Sequence, residues 1–141
     1  MATTRTASTT WDGGLAHGAG TTAVGTGSFG PLGVSWAHRT EDPQGATSPE
    51  ELIAAAHASC YAMALSHELG QAGGEDIHLE ISAAVSFDPT ADPPITGSAL
   101  TVKGSASGVD ADTFREKAEA AKAGCPVSRA LAGVNITLTV Q

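Results

Sequence analysis

The chain has 141 residues, of which 41% are hydrophobic and 16% charged, a balance that suits one folded domain spanning 1–141 and excludes a disordered or fibrous chain. Seven Lys and Arg against 15 Asp and Glu give a net charge of −8, which repels phosphate-rich partners, so nucleic-acid binding is not expected. There is neither an apolar leader after Met1 nor an apolar run of the roughly 18–20 residues that a membrane span needs; the expectation is a soluble, cytoplasmic protein with no membrane partner.

Aromatic residues are only 4%, which leaves the core to Ala, Val, Leu and Ile and favours oligomerisation. The first forty residues are rich in Thr, Gly, Ala and Ser. Short alternating pieces around Thr4 to Trp11, Gly20 to Val24 and Val34 to Arg39 predict a small antiparallel sheet. Asp12-Gly13-Gly14 marks its hairpin and Ser28 to Gly33 a second turn.

Thr47-Ser48-Pro49-Glu50-Glu51 is a helix start, with Ser48 as N-cap, Pro49 at the first helical position and Glu51 closing a capping box. The helix runs through Leu69 and stops at Gly70. Between Leu52 and Leu65 it is apolar around almost its whole circumference, which predicts burial on most sides; polar residues inside it need a reason.

Ile77, Leu79, Ile81, Ala83, Val85 and Phe87 alternate with mostly polar residues and predict a strand. A turn at Asp88 to Pro94 leads to a second strand from Ile95 to Lys103. Asp110 caps a helix to about Lys122 with Phe114, Ala118 and Ala121 inward. Gly124 stops that helix, Cys125-Pro126 restarts a short one to Leu131, and Ile136, Leu138 and Val140 form a last strand. The order βββ-α-ββ-α-α-β is an α+β layout rather than alternating βαβ.

Two cysteines are too few for a disulfide-rich scaffold, and no CxxC pair suggests structural zinc. Cys60 sits midway along the apolar helix among small residues, which fits close packing or substrate access. Cys125 precedes Pro126 and so occupies an N-cap position, where free N–H groups favour a thiolate; the bland alternative is a plain joint between helices. His57, Cys60 and His67 share a helical face, but about 15 Å of rise between the two histidines prevents them from holding one metal ion, and His57 is expected to hydrogen-bond within the core. Glu51 is explained by the capping box, whereas Glu50 is either a solvated first-turn acid or free to act elsewhere. Arg39 is either a surface charge or a functional cation. The Gly-rich stretch Gly18 to Gly33 lacks the context of a dinucleotide site or P-loop, and no G-x-S-x-G elbow is present. Neither a cofactor nor a metal is expected.

The run from Ser48 to Cys60, SPEELIAAAHASC, together with Gly124-Cys125-Pro126-Val127-Ser128, resembles the OsmC/Ohr thiol peroxidases. The similarity extends from Trp11-Asp12-Gly13 to Ile136-Thr137-Leu138. It implies the OsmC-like fold in an intertwined homodimer, with active sites at the subunit interface. It further implies Cys60 as the peroxidatic cysteine, Cys125 as the resolving one, and Arg39 with Glu50 as the charged pair beside the thiolate. The Ohr branch carries its Arg in the early hairpin, but Gly13 to Gly20 contains none; Arg39 falls where the OsmC branch has its Arg. The implied activity is reduction of organic hydroperoxides, and of hydrogen peroxide more weakly, through a Cys60 sulfenic acid and a Cys60–Cys125 disulfide. An external dithiol, lipoyl-type by resemblance, then restores the thiols.

Burial raises a thiol's pKa, so a Cys60 thiolate needs a cation such as Arg39, which Glu50 can orient by a bidentate bond. Yet Glu50 and Cys60 lie ten residues apart, about 15 Å along one helix, so a partner subunit is expected to complete the site. Two other readings stand beside the enzyme: a redox-sensing or binding protein that uses reversible Cys60–Cys125 oxidation without efficient turnover, and a structural domain with inert thiols.

Overall fold

In the computed structural model, residues 1–141 are described and fall into two compact units, Met1–Pro49 and Glu50–Gln141.

In the first unit, β1 (Ala7–Asp12), β2 (Ala19–Val24) and β3 (Leu32–Val34) form an antiparallel sheet in the order β1-β2-β3. Threonines favour this pleated surface and pair across it: Thr9 and Thr22 hydroxyls lie 2.9 Å apart, Thr10 and Thr21 3.2 Å. The hairpin turns at Asp12-Gly13 as expected, with Gly13 at φ +96°, a region that glycine enters without steric cost. Asp12 faces Ala19, however, so six residues make the connection instead of a tight two-residue turn.

The third strand departs from expectation. It ends at Val34, and the segment expected to continue it to Arg39 is a helix, α1 (Trp36–Thr40). Val34, Trp36 and His38 mimic a strand's period of two over too short a span to decide. What decides is Ser35, whose side chain accepts the His38 backbone N–H at 3.1 Å and caps the helix. Arg39 therefore sits in the last helical turn, not at the end of a strand.

The second unit is built on α2 (Pro49–Gln71), β4 (Glu75–Phe87), β5 (Ile95–Ser107), α3 (Ala111–Gly124), α4 (Pro126–Ala130) and β6 (Asn135–Val140). Its sheet has the order β4-β5-β6. β4 and β5 are antiparallel, while β6 runs parallel to β5 from Gly97↔Asn135 to Val102↔Val140. A parallel neighbour cannot be reached by a tight turn; it needs a crossover, which α3 and α4 supply. Asp110 caps α3 by accepting the Thr113 N–H at 2.7 Å, and Phe114, Ala118 and Ala121 are its buried face.

The core joins Tyr61, Leu65 and Leu69 of α2 with Leu100 and Val102 of β5 and the inner face of α3. Tyr61 donates its hydroxyl proton to the Ala118 carbonyl at 3.0 Å. His57, Tyr61, Leu65 and Leu69 recur every fourth residue and form the buried stripe of α2. The opposite face is open, with Met63 73% exposed, so the burial on most sides expected for this helix is not reached within one chain, where the core lines one stripe only. No helix is long and apolar enough to cross a membrane.

Candidate active site

α2 carries Cys60 next to its buried stripe, half-buried, one residue before Tyr61. The α3–α4 joint carries Cys125, fully buried. The helix must break there, because Pro126 cannot extend α3 but fits the first position of a new helix. Cys125 takes that N-cap place with φ −55° and ψ 126° and Pro126 directly after it. The crossover thus brings together two thiols 65 positions apart in sequence. Both are free, and both belong to one packed cluster, Cys60 lying against the core that contains Cys125.

The two sulfurs are not equivalent. Burial pushes the Cys60 thiol up, and the neighbouring Cys125 adds to that, against one favourable N–H from Val127. Burial acts upward on Cys125 as well. There it is outweighed by the Ser128 N–H, the Cys60 thiol, the Ser128 hydroxyl and the Val127 N–H, so Cys125 lies below an ordinary thiol. The pair gives up its first proton more readily than a lone buried thiol and its second less readily, as two close acids must.

His57 lies one turn before Cys60, with no solvent exposure. Its Nδ1 is 2.7 Å from the Ser98 hydroxyl of β5 and its Nε2 is 2.8 Å from the Ser128 hydroxyl of α4. Burial lowers its pKa and favours the neutral ring. The core hydrogen bonding expected of His57 is therefore present, but Ser98 and Ser128 were not legible as its partners. A signal existed for one of them: Ser98 shares an inward row of β5 with Leu100 and Val102, all three buried. A polar residue in such a row demands a partner.

The charged candidates are Glu50 and Arg39. Glu50 is buried in the first turn of α2, and the unbroken helix puts about 15 Å of rise between it and Cys60. Arg39 belongs to the other unit, where its guanidinium carbon lies 5.8 Å from the centre of the Trp36 ring, within the range of a cation–π contact. No three His, Cys, Asp or Glu side chains converge as metal ligands would.

The family described as "OsmC-like protein" matches residues 41–140, a span that includes both cysteines. The chain belongs to the OsmC family. It is 42% identical over 132 residues to the Peroxiredoxin OsmC of Escherichia coli (strain K12), covering 93% of this chain and 91% of that protein, and equally to the Peroxiredoxin OsmC of Shigella flexneri. Among solved structures, the organic hydroperoxide resistance protein OhrB of Bacillus subtilis superposes with a TM-score of 0.71 at 27% identity, covering 96% of this chain and 98% of that one. An OsmC protein of Legionella pneumophila at 22% identity shares the OsmC fold, with a TM-score of 0.69.

Proposed function

We propose that this thiol peroxidase of the OsmC family reduces organic hydroperoxides, and hydrogen peroxide more weakly, with Cys60 as the attacking cysteine and Cys125 as the resolving one. The observation that carries the proposal is that α4 packs on α2, where His57 meets Ser128 at 2.8 Å, and so brings two free thiols into one core cluster. Access divides their roles: Cys60 is half-buried and can meet a peroxide, whereas Cys125 is sealed. The Cys60 thiolate attacks one peroxide oxygen, the O–O bond breaks, and the departing alkoxide takes a proton to become the alcohol. Cys60 is left as a sulfenic acid. Cys125 attacks that sulfur, the S–O bond breaks, and water leaves as the disulfide forms. A dithiol, of lipoyl type in our reading, then reduces the disulfide through a mixed disulfide. Such regeneration suits a reducing, cytoplasmic compartment.

In isolation the negative charge of the pair favours Cys125, which is the wrong sulfur for the first step. A permanently charged guanidinium beside Cys60 reverses that preference, and we assign this role to Arg39, held by Glu50 through paired N–H···O bonds. The rise of α2 separates Glu50 from the thiols of its own chain, so we assign the completion of each site to a second copy, with both units acting as one OsmC-like domain. The open face of α2 at Met63 favours such a homodimer.

Consumption of cumene hydroperoxide and hydrogen peroxide, with dihydrolipoamide or dithiothreitol, tests the reading. Wild type turns over and prefers the organic substrate; Cys60→Ser is inactive; Cys125→Ser oxidises once and then over-oxidises or stalls. A wild type that is oxidised once and stops identifies a redox sensor instead, and an active Cys60→Ser refutes the assignment.

A further inference from the structure

The buried polar chain behind Cys125 has no part in the steps above. It consists of Ser98, His57 and Ser128, exposed by 2%, 0% and 5%, joined by contacts of 2.7 and 2.8 Å, and drawn from β5, α2 and α4. Three polar side chains in a core whose other members are mainly apolar incur desolvation that their mutual bonds only offset. The chain also has a direction. A neutral imidazole has one donor and one acceptor. When Ser98 donates to Nδ1, Nε2–H donates to the Ser128 oxygen, and the Ser128 proton is left for the first turn of α4, where Cys125 stands at the N-cap three positions before it and both side chains are buried. An O–H donated to a thiolate is charge-assisted, whereas S–H is a weak donor in the reverse sense. The arrangement therefore favours the thiolate at the far end.

Resting on the resolving role given to Cys125 above, we infer that Ser98, His57 and Ser128 form a buried relay that holds Cys125 as the nucleophile and so sets the rate of disulfide closure. Cys125 first releases its proton; its sulfur lone pair then forms the S–S bond with Cys60 as the S–O bond breaks, and the leaving hydroxide takes up a proton as water. Ser128 is not consumed. It orients and stabilises the sulfur before attack, and His57 and Ser98 fix the direction in which Ser128 donates. They are positioning residues, acting through another group. The other titratable side chains at Cys125 are Cys60 and Tyr61, and the Tyr61 proton is engaged by the Ala118 carbonyl.

Two measurements on the full chain decide this. In the Cys60→Ser background, ultraviolet thiolate absorbance follows Cys125 alone. Ser128→Ala raises its midpoint by about one pH unit and Ser98→Ala by a smaller amount, since a hydrogen bond to a charged group is worth about a tenfold shift or more. With Cys60 present, stoichiometric peroxide separates the first oxidation from closure. The ratio of closure rate to first-oxidation rate falls about tenfold in Ser128→Ala, a trapping reagent captures more sulfenic acid, and His57→Gln, which keeps one donor and one acceptor, retains closure nearer to wild type. An unchanged Cys125 midpoint in folded Ser128→Ala, or first oxidation falling in step with closure, overturns the relay. Should Ser128→Ala fail to fold, Ser98→Ala, which does not touch sulfur, decides in its place. A wild type that consumes no peroxide would refute the peroxidase reading, while the Cys125 titration would still judge the relay.

Discussion

Lowering the pH from about 7.5 to about 5 removes stability through His57 in particular, because that window lies around the ordinary histidine value near 6.5. In the folded chain the ring is fully buried and its pKa is lowered by burial. Hydrogen bonding does not cause the shift: the Ser98 and Ser128 hydroxyls can each accept from a second N–H, so a charged ring would still be bonded at both nitrogens. Desolvation alone opposes the proton. Below 6.5 the unfolded chain takes up a proton that the folded chain refuses, so stability is full above that value and declines as the pH falls beneath it, until the lowered folded value is reached. The slope has a ceiling of about 1.4 kcal/mol per pH unit. Asp88 and Asp110 have lowered values too, set by hydrogen bonds from Thr90 and Thr113. Their contribution is present above the ordinary carboxylate value of 3.8 and lost as the pH falls below it through their folded values, so it lies beneath the His57 window. Urea unfolding across this range is the assay, with His57→Gln as the comparison. The variant is destabilised by about 1–3 kcal/mol at neutral pH through its weakened bonding and loses less on acidification. Parallel pH profiles for the two proteins would refute the reasoning.

Leu65 has no exposed surface in the core, so Leu65→Ala costs about 3–5 kcal/mol, read as a lowered urea midpoint with an unchanged slope. Tyr61→Phe keeps the packing and loses only the bond to Ala118; its cost is about 1 kcal/mol by the same assay, and peroxide turnover persists. Gly104→Ala places a Cβ against the His78 carbonyl oxygen and the Leu79 side chain. Strand β5 must shift, and thermal unfolding shows a loss of at least about 1–3 kcal/mol.

Elements with a strong period or explicit punctuation were legible in the sequence. Pro49 after Ser48 located the start of α2, and Ile77 to Phe87 located β4. Gly124-Cys125-Pro126 located the break that puts a thiol at a helix start. α1 was hidden because five residues are too few for a period, and the deciding signal was one serine, Ser35, at its cap. The parallel placement of β6 depends on sheet order, which alternation cannot reveal. In the site, each cysteine could be marked by its local setting, but their meeting depends on the crossover. Ser98 and Ser128 stand 41 and 71 positions from His57, and serine alone carries too little pattern to announce a partner at that range. The all-round apolar character of α2 was read correctly as a residue pattern, although one chain buries only the stripe through His57, Tyr61, Leu65 and Leu69.

The crossover that brings Cys125 to α2 also imposes an order on synthesis. A chain made from its N-terminus exposes Cys60 with 65 positions still to come before Cys125, and contacts of such high sequence separation must pay loop-closure entropy before they return any stabilisation. Neither the thiol pair nor the bond from His57 to Ser128 exists until α4 is complete. A nascent or truncated chain thus carries its accessible cysteine without the neighbour beside it. It is the arrival of α4, and not the folding of α2, that turns an accessible thiol into one half of a pair.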